Sequence, residues 1–201
     1  MKTLVLDVAA MMIAASSTNA QIRVIYDHHD EASRVVGTGK VTFASYKKGF
    51  SWDMSLAYIE QYSPFDTLSF YVVGFWLTTK SPTNVPADSR MLIRFENDSV
   101  VETSIFNPLT PSSFTYQVNY GVSTYSFCPE YILDNELIDY IANHKIVKIR
   151  LEAPWSMTGL FDYYIDPRSK IWTPSETITS LRRAIDTYLK GKPSNTLYDD
   201  F

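Results

Sequence analysis

One cysteine, Cys128, is all the thiol this chain contains, so no disulfide can close within it and stability must come from a packed core. Flanked by Phe127 and Pro129, it reads as a small buried apolar residue. Glycine is scarce too: 7 residues in 201, against 14 Tyr, 11 Phe and 4 Trp, point to a well-packed, strand-rich domain and exclude disorder for most of the chain. Basic charge is not in excess. The net charge is -4 and no basic patch stands out, which argues against nucleic acid as a partner. No uninterrupted apolar run approaches the roughly 20 residues that cross a bilayer as a helix, so membrane insertion is not expected. Familiar catalytic frames are missing as well. Gly37-Thr-Gly39-Lys40 lacks the earlier Gly and the following Ser/Thr of a phosphate-cradling loop, and no nucleophile elbow, zinc-protease helix or paired-cysteine frame occurs. No catalytic residue and no cofactor is assigned on this basis.

What is present begins with the leader MKTLVLDVAAMMIAASSTNA. Lys2 supplies a positive start, Leu4 to Ala15 an apolar core, and Thr18-Asn19-Ala20 a small-x-small site before Gln21, the pattern of an export signal. The bland alternative is an apolar first strand or helix. Removing residues 1–20 leaves 181, enough for one β-rich domain over 21–191 with a flexible tail over 192–201. With no lipid-attachment Cys near the cleavage site, the product is expected to be soluble, periplasmic or secreted.

Alternation then dominates. Ile22 to Tyr26 reads as a first strand, ended by the polar loop Asp27-His-His-Asp-Glu31. Val41, Phe43 and Ser45, a turn at Lys47-Lys-Gly49, and Phe50, Trp52, Met54, Leu56 and Tyr58 form a hairpin signature, with Ser51, Asp53, Ser55 and Ala57 on a wet opposite face. Phe70 to Leu77 (FYVVGFWL) is apolar almost throughout, as a central strand covered on both faces requires. Ser81 to Pro86 breaks it. A second hairpin spans Met91 to Ile105 around Asn97-Asp98, and a third pairs Phe114 to Tyr120 with Val122 to Phe127.

The period changes after Asp134, which can cap a short helix near 134–143 carrying Leu137, Ile138 and Ile141, with His144 at its negative end. A strand Ile146 to Glu152 follows. Thr173-Pro-Ser-Glu176 has the capping-box spacing, and Ile178, Leu181, Ile185 and Tyr188 form one face of a C-terminal helix near 174–190. The expected fold is therefore mainly β (α+β): an antiparallel β-sandwich or a strongly bent sheet closed by these helices.

Met91-Leu-Ile-Arg-Phe-Glu96 and Val147-Lys-Ile-Arg-Leu-Glu152 share the pattern apolar-x-Ile-Arg-apolar-Glu. In strands, Met91, Ile93, Phe95, Val147, Ile149 and Leu151 would face the core, leaving the Arg and Glu residues on the opposite face, as a binding strip or as ordinary exposed charge pairs. The segment from Met91 through the Asn97-Asp98 turn, with Leu137 to Glu152, resembles uncharacterised exported bacterial proteins in which a hairpin precedes a short helix and a "KIR" strand. The resemblance covers about a third of the chain, implies a sandwich-like fold and brings no catalytic residues.

Candidate site residues cluster late. Asp162 and Asp166 beside Tyr163 and Tyr164 suit carbohydrate, bound or cleaved, and Trp155 and Trp172 add amphipathic aromatics from the same region. His28 and His29 are weak metal candidates, because adjacent residues of an extended segment point opposite ways. The expected function is an exported binding module for a protein partner or a glycan, with no catalytic activity. The alternative is a secreted hydrolase using the carboxylates or the Cys128 thiol. An outer-membrane barrel fails on the two helices and on FYVVGFWL, which lacks barrel alternation.

Overall fold

The computed structural model describes residues 22–46, 50–79, 88–107, 113–117, 122–152, 160–164 and 173–191. The leader, the Lys47 to Gly49 turn, the break at Ser81 to Pro86 and the tail lie outside them. The strands in chain order are β1 (Val24–His29), β2 (Ser33–Thr38), β3 (Val41–Tyr46), β4 (Phe50–Tyr62), β5 (Thr67–Thr79), β6 (Arg90–Phe95), β7 (Val100–Asn107), β8 (Ser113–Gln117), β9 (Val122–Phe127), β10 (Glu130–Leu133), β11 (Ile146–Glu152) and β12 (Leu160–Tyr164), and the helices are α1 (Asn135–Asn143) and α2 (Pro174–Gly191).

Every pairing is antiparallel. The sheet runs β1-β2-β4-β5-β10-β7-β6-β11-β12, with β3 on β4, and β8 joined through β9 to β5. Among the described residues it does not close. β4 and β5 are the two longest strands and change neighbours along their length. The first part of β4 pairs with β3 and the second with β2, while Tyr71 to Gly74 of β5 pair with β10 and Leu77 to Thr79 with β9.

One face of this sheet shares a single core with both helices. Val36, Met54, Leu56, Val73, Phe75, Ile93, Phe95, Ile149 and Leu151 meet Ile138, Ile141, Ile178, Leu181 and Ile185 there, all essentially excluded from water. The opposite face of the central strands is covered too. Val35, Ala57, Ile59, Phe70 and Val72 form a second cluster, flanked by Tyr26, Trp76, Phe106 and Ile132. β5 is thus central and buried on both faces, as its unbroken apolar run requires.

The wet face expected for β4 is corrected at two positions: Ala57 is fully buried within this second cluster, and Ser55 is fully buried against Gly74 and accepts from Trp76 Nε1. The polar run after the first strand is corrected as well. β1 continues through Asp27-His28-His29, paired to Val36, Val35 and Arg34, and the turn is only Asp30 to Ala32. Val147 is half-buried and Ile146 takes the core position, since a bulge between Ile146 and Lys148 shifts the register by one residue.

Helix ends follow local chemistry. Asp134 Oδ1 accepts from Leu137 N at 2.7 Å, capping α1, and His144 Nδ1 lies 3.0 Å from the Tyr140 carbonyl at its far end. At α2, Thr173 N donates to Glu176 Oε2 at 2.8 Å while Glu176 N donates to Thr173 Oγ1 at 3.3 Å, a reciprocal capping box. The Thr173 N–H, and after it the Thr173 hydroxyl, which also donates to Glu176 Oε2, hold the Glu176 carboxyl below its usual range. Ser175 Oγ accepts from Ile146 N and donates to His144 O, so the start of α2 is stitched to the end of α1 and the start of β11. The β6–β7 turn carries Asp98 at φ 63°, a left-handed conformation that Asp tolerates, and Asn97 Nδ2 donates to Tyr140 Oη of α1 at 2.8 Å.

Candidate functional site

Three of the late candidates fall on one strand. In β12, Asp162 pairs with Arg150, Tyr163 with Ile149 and Tyr164 with Lys148 of β11. Trp155, Asp166 and Trp172 lie outside the described residues. β11 in turn pairs with β6, placing Leu92 opposite Arg150 and Arg94 opposite Lys148, so the two echoed segments are hydrogen-bonded neighbours.

The non-core face of β6, β7 and β11 carries charged side chains that pair with one another. Arg90 donates through Nε and Nη2 to both oxygens of Glu152 at 2.9 Å and through Nη1 to Glu102 at 3.1 Å, bridging β11, β6 and β7. Those two carboxylates push the guanidinium still further above its ordinary value. Arg94 pairs with Asp98. The arrangement is an ordered polar face, each exposed pair contributing little to stability.

His28 and His29 have different neighbours. His28 is half exposed and 3.4 Å from Asp30, whereas His29 meets the Tyr62 ring edge-on at 5.7 Å between centroids. Among the described residues no group of three or more His, Cys, Asp or Glu side chains could hold a metal ion. Cys128 is buried. Burial, reinforced by Glu130, pushes its thiol well up, with Lys40 opposing, so the sulfur stays protonated near neutral pH and is a poor nucleophile.

Sequence reasoning missed the hairpin tip between β4 and β5. Phe65 there is 99% exposed and Leu68, on the first turn of β5 pairing, 59%. The tip is held rigid by its own chemistry. Ser63 N donates to Asp66 O at 2.9 Å, Ser63 Oγ donates to the same carbonyl and accepts from Asp66 N at 3.0 Å, and Asp66 Oδ1 accepts from Thr67 N at 2.8 Å. Tyr62 N donates to Ala32 O at 2.8 Å, which brings the β1–β2 turn alongside. In that turn Asp30 Oδ1 accepts from Ala32 N and Ser33 N at 2.8 and 2.7 Å, bonds that hold its carboxyl below the usual range. Phe65 therefore stands out beside Asp66 at the tip, with the β1–β2 turn bonded at its base through Tyr62.

A further polar group is enclosed within the sheet. Ser55, Gly74, Glu130 and Asn107 stand opposite one another in register across β4, β5, β10 and β7. A methyl group added at Gly74 would lie 3.0 Å from both Cys128 Sγ and Ser55 Oγ and 3.8 Å from Glu130 Cγ, so these side chains close around the glycine. Glu130 is 0% exposed, and among the described residues neither of its carboxyl oxygens has a hydrogen-bond partner.

The chain matches no protein-family model, no curated protein and no solved structure. No helix of the described residues is long and apolar enough to cross a membrane.

Proposed function

We propose that this protein is an exported, non-enzymatic interaction module that grips a protein partner through the β4–β5 tip, with Phe65 as the anchor. The observation that carries the reading is a wholly exposed phenylalanine on a tip whose backbone is fixed by four local hydrogen bonds. Scattered apolar residues on a surface are ordinary, but a large ring held out on a rigid turn loses little conformational freedom when it enters a pocket. Burying a Phe side chain is worth about 1.5–3 kcal/mol, which converts to roughly tenfold to hundredfold in affinity. The Asp66 carboxylate next to it in the turn favours a partner pocket with a basic group at its rim. A glycan is the second reading, favoured by the register that sets Asp162 and Tyr164 of β12 across from Arg150 and Lys148.

Incorporating a photo-reactive benzophenone residue at position 65 of the full chain, in the cells that export it, tests both. The protein reading expects one defined protein adduct at 65 that is absent when the probe sits at Asp88, and tenfold or greater loss of affinity for that purified protein on Phe65→Ala. No adduct at 65, together with oligosaccharide binding that survives Phe65→Ala and is lost in a Lys148→Ala, Arg150→Ala variant, would transfer the function to the outer face of β11 and β12. Sequencing the N-terminus of the exported chain checks the leader, with Gln21 expected first.

A further inference from the structure

We propose that Glu130 is a proton-operated latch in the middle of the sheet: protonated it lets β10 lie closed between β5 and β7, and ionised it loosens that segment together with the adjoining Cys128 and Pro129. The geometry is that of a carboxyl with nowhere to put a charge. It is completely buried, and neither oxygen receives a hydrogen bond from the described residues. From β5 it faces Gly74, from β4 the neutral hydroxyl of Ser55, and from β7 Asn107 stands opposite in register. The Ser55 hydroxyl already accepts from Trp76 Nε1 at 3.1 Å. The titratable groups nearby are Cys128, whose thiol is itself kept neutral, and Lys40 on the β2–β3 link, which acts on Cys128 and rests its ammonium over the Trp76 ring at 4.6 Å. No described cation pairs with Glu130. An isolated carboxylate in such a place is strongly disfavoured, and relief comes from letting water reach it. Burial accordingly raises the carboxyl to about 7 from its ordinary 4.5.

The segment it would release is short. β10 is four residues long, Phe75 N donates to Pro129 O at 3.0 Å, and the pairing of β10 with β7 is interrupted by a bulge between Glu130 and Tyr131. Opening there exposes the only thiol of the chain, which makes Cys128 a built-in reporter.

The test measures labelling of Cys128 by a dipyridyl disulfide, a reagent that reacts in acid as well as near neutrality, in the folded full-length protein and in urea at each pH. The ratio of the two rates gives protection free of intrinsic thiol ionisation. Because the opened segment ionises near 4.5 and the closed one near 7, protection should fall by up to tenfold per pH unit across that window and level off above it. Labelling should also outrun the global unfolding measured in denaturant at the same pH, and Glu130→Gln should abolish the slope. Protection that is flat with pH, that merely tracks global unfolding, or that keeps its slope in Glu130→Gln overturns the latch. Should Glu130→Gln not fold, amide exchange of residues 130–133 in the unmodified protein decides: pH-corrected exchange that rises across the window and is faster than that of the α2 amides throughout supports it, and exchange at the same rate as the α2 amides, or with no rise, refutes it.

Discussion

The Tyr71 hydroxyl, in the middle of β5, donates to Asp186 Oδ1 of α2 at 3.0 Å, tying the C-terminal helix to the central strand across 115 positions of chain. Arg182, one turn earlier on the helix, sits over the same ring at 5.7 Å and also pairs with Asp139 of α1. Tyr71 and Arg182 together thereby link the sheet to both helices.

Tyr71→Phe keeps the ring and deletes the bond. A net loss of about 1 kcal/mol is expected, because Asp186 is half exposed and can turn to water instead of being stranded. In urea titrations the midpoint should drop with an unchanged slope. Burial first, and then the Asp186 charge, raise the Tyr71 hydroxyl to about 12 from 10.0. A raised acid is favoured neutral in the folded state, so its contribution is complete below pH 10 and is lost as pH climbs towards 12. The Phe variant should lack that part of the alkaline decline.

Gly74 is required for space. Its two nearest neighbours on the Cβ side are Cys128 Sγ and Ser55 Oγ, both at 3.0 Å, and the serine is held by Trp76. Gly74→Ala should destabilise the protein by about 1–3 kcal/mol through overpacking. Cys128→Ala removes one of the two obstacles, so the double variant should lose less than the sum of the single losses. A double-mutant cycle in denaturant measures the difference, and strict additivity would contradict the packing argument.

How much of this was legible in the sequence depended on whether a signal was local. FYVVGFWL could only be a strand covered on both faces, and the Thr173 to Glu176 capping box fixed the start of α2, because each is written in adjacent residues. β2 and β10 were invisible. SRVVGT carries two large apolar residues among polar ones and EYIL is four residues opening on a glutamate, so both owe their strand conformation to the neighbours they pair with. Ser55 and Ala57 looked like a solvent face for the same reason, since only tertiary contacts bury small residues. Phe65 reads in a line of text as one more apolar residue near a proline. Its isolation on the tip is a property of the hairpin, and the enclosure of Glu130 is a property of four strands in register.

Glu130 also sets a pH dependence for the whole fold. Its carboxyl is raised to about 7 in the folded protein by burial, against 4.5 when exposed. Folding then disfavours the ionised form. Stability is full below about pH 4.5, declines as pH rises because the unfolded chain sheds this proton first, and levels above about pH 7, once the folded protein sheds it too. At about 1.4 kcal/mol per unit, the decline amounts to about 3 kcal/mol. Glutamine has nearly the shape of the protonated acid and carries no charge, so Glu130→Gln should match the unmodified protein near pH 4 and exceed its stability by about 3 kcal/mol at pH 8. Urea midpoints at the two pH values decide. An equal loss in Glu130→Gln at both would mean that the carboxyl has a partner when ionised, and that β10 is held closed by something other than a proton.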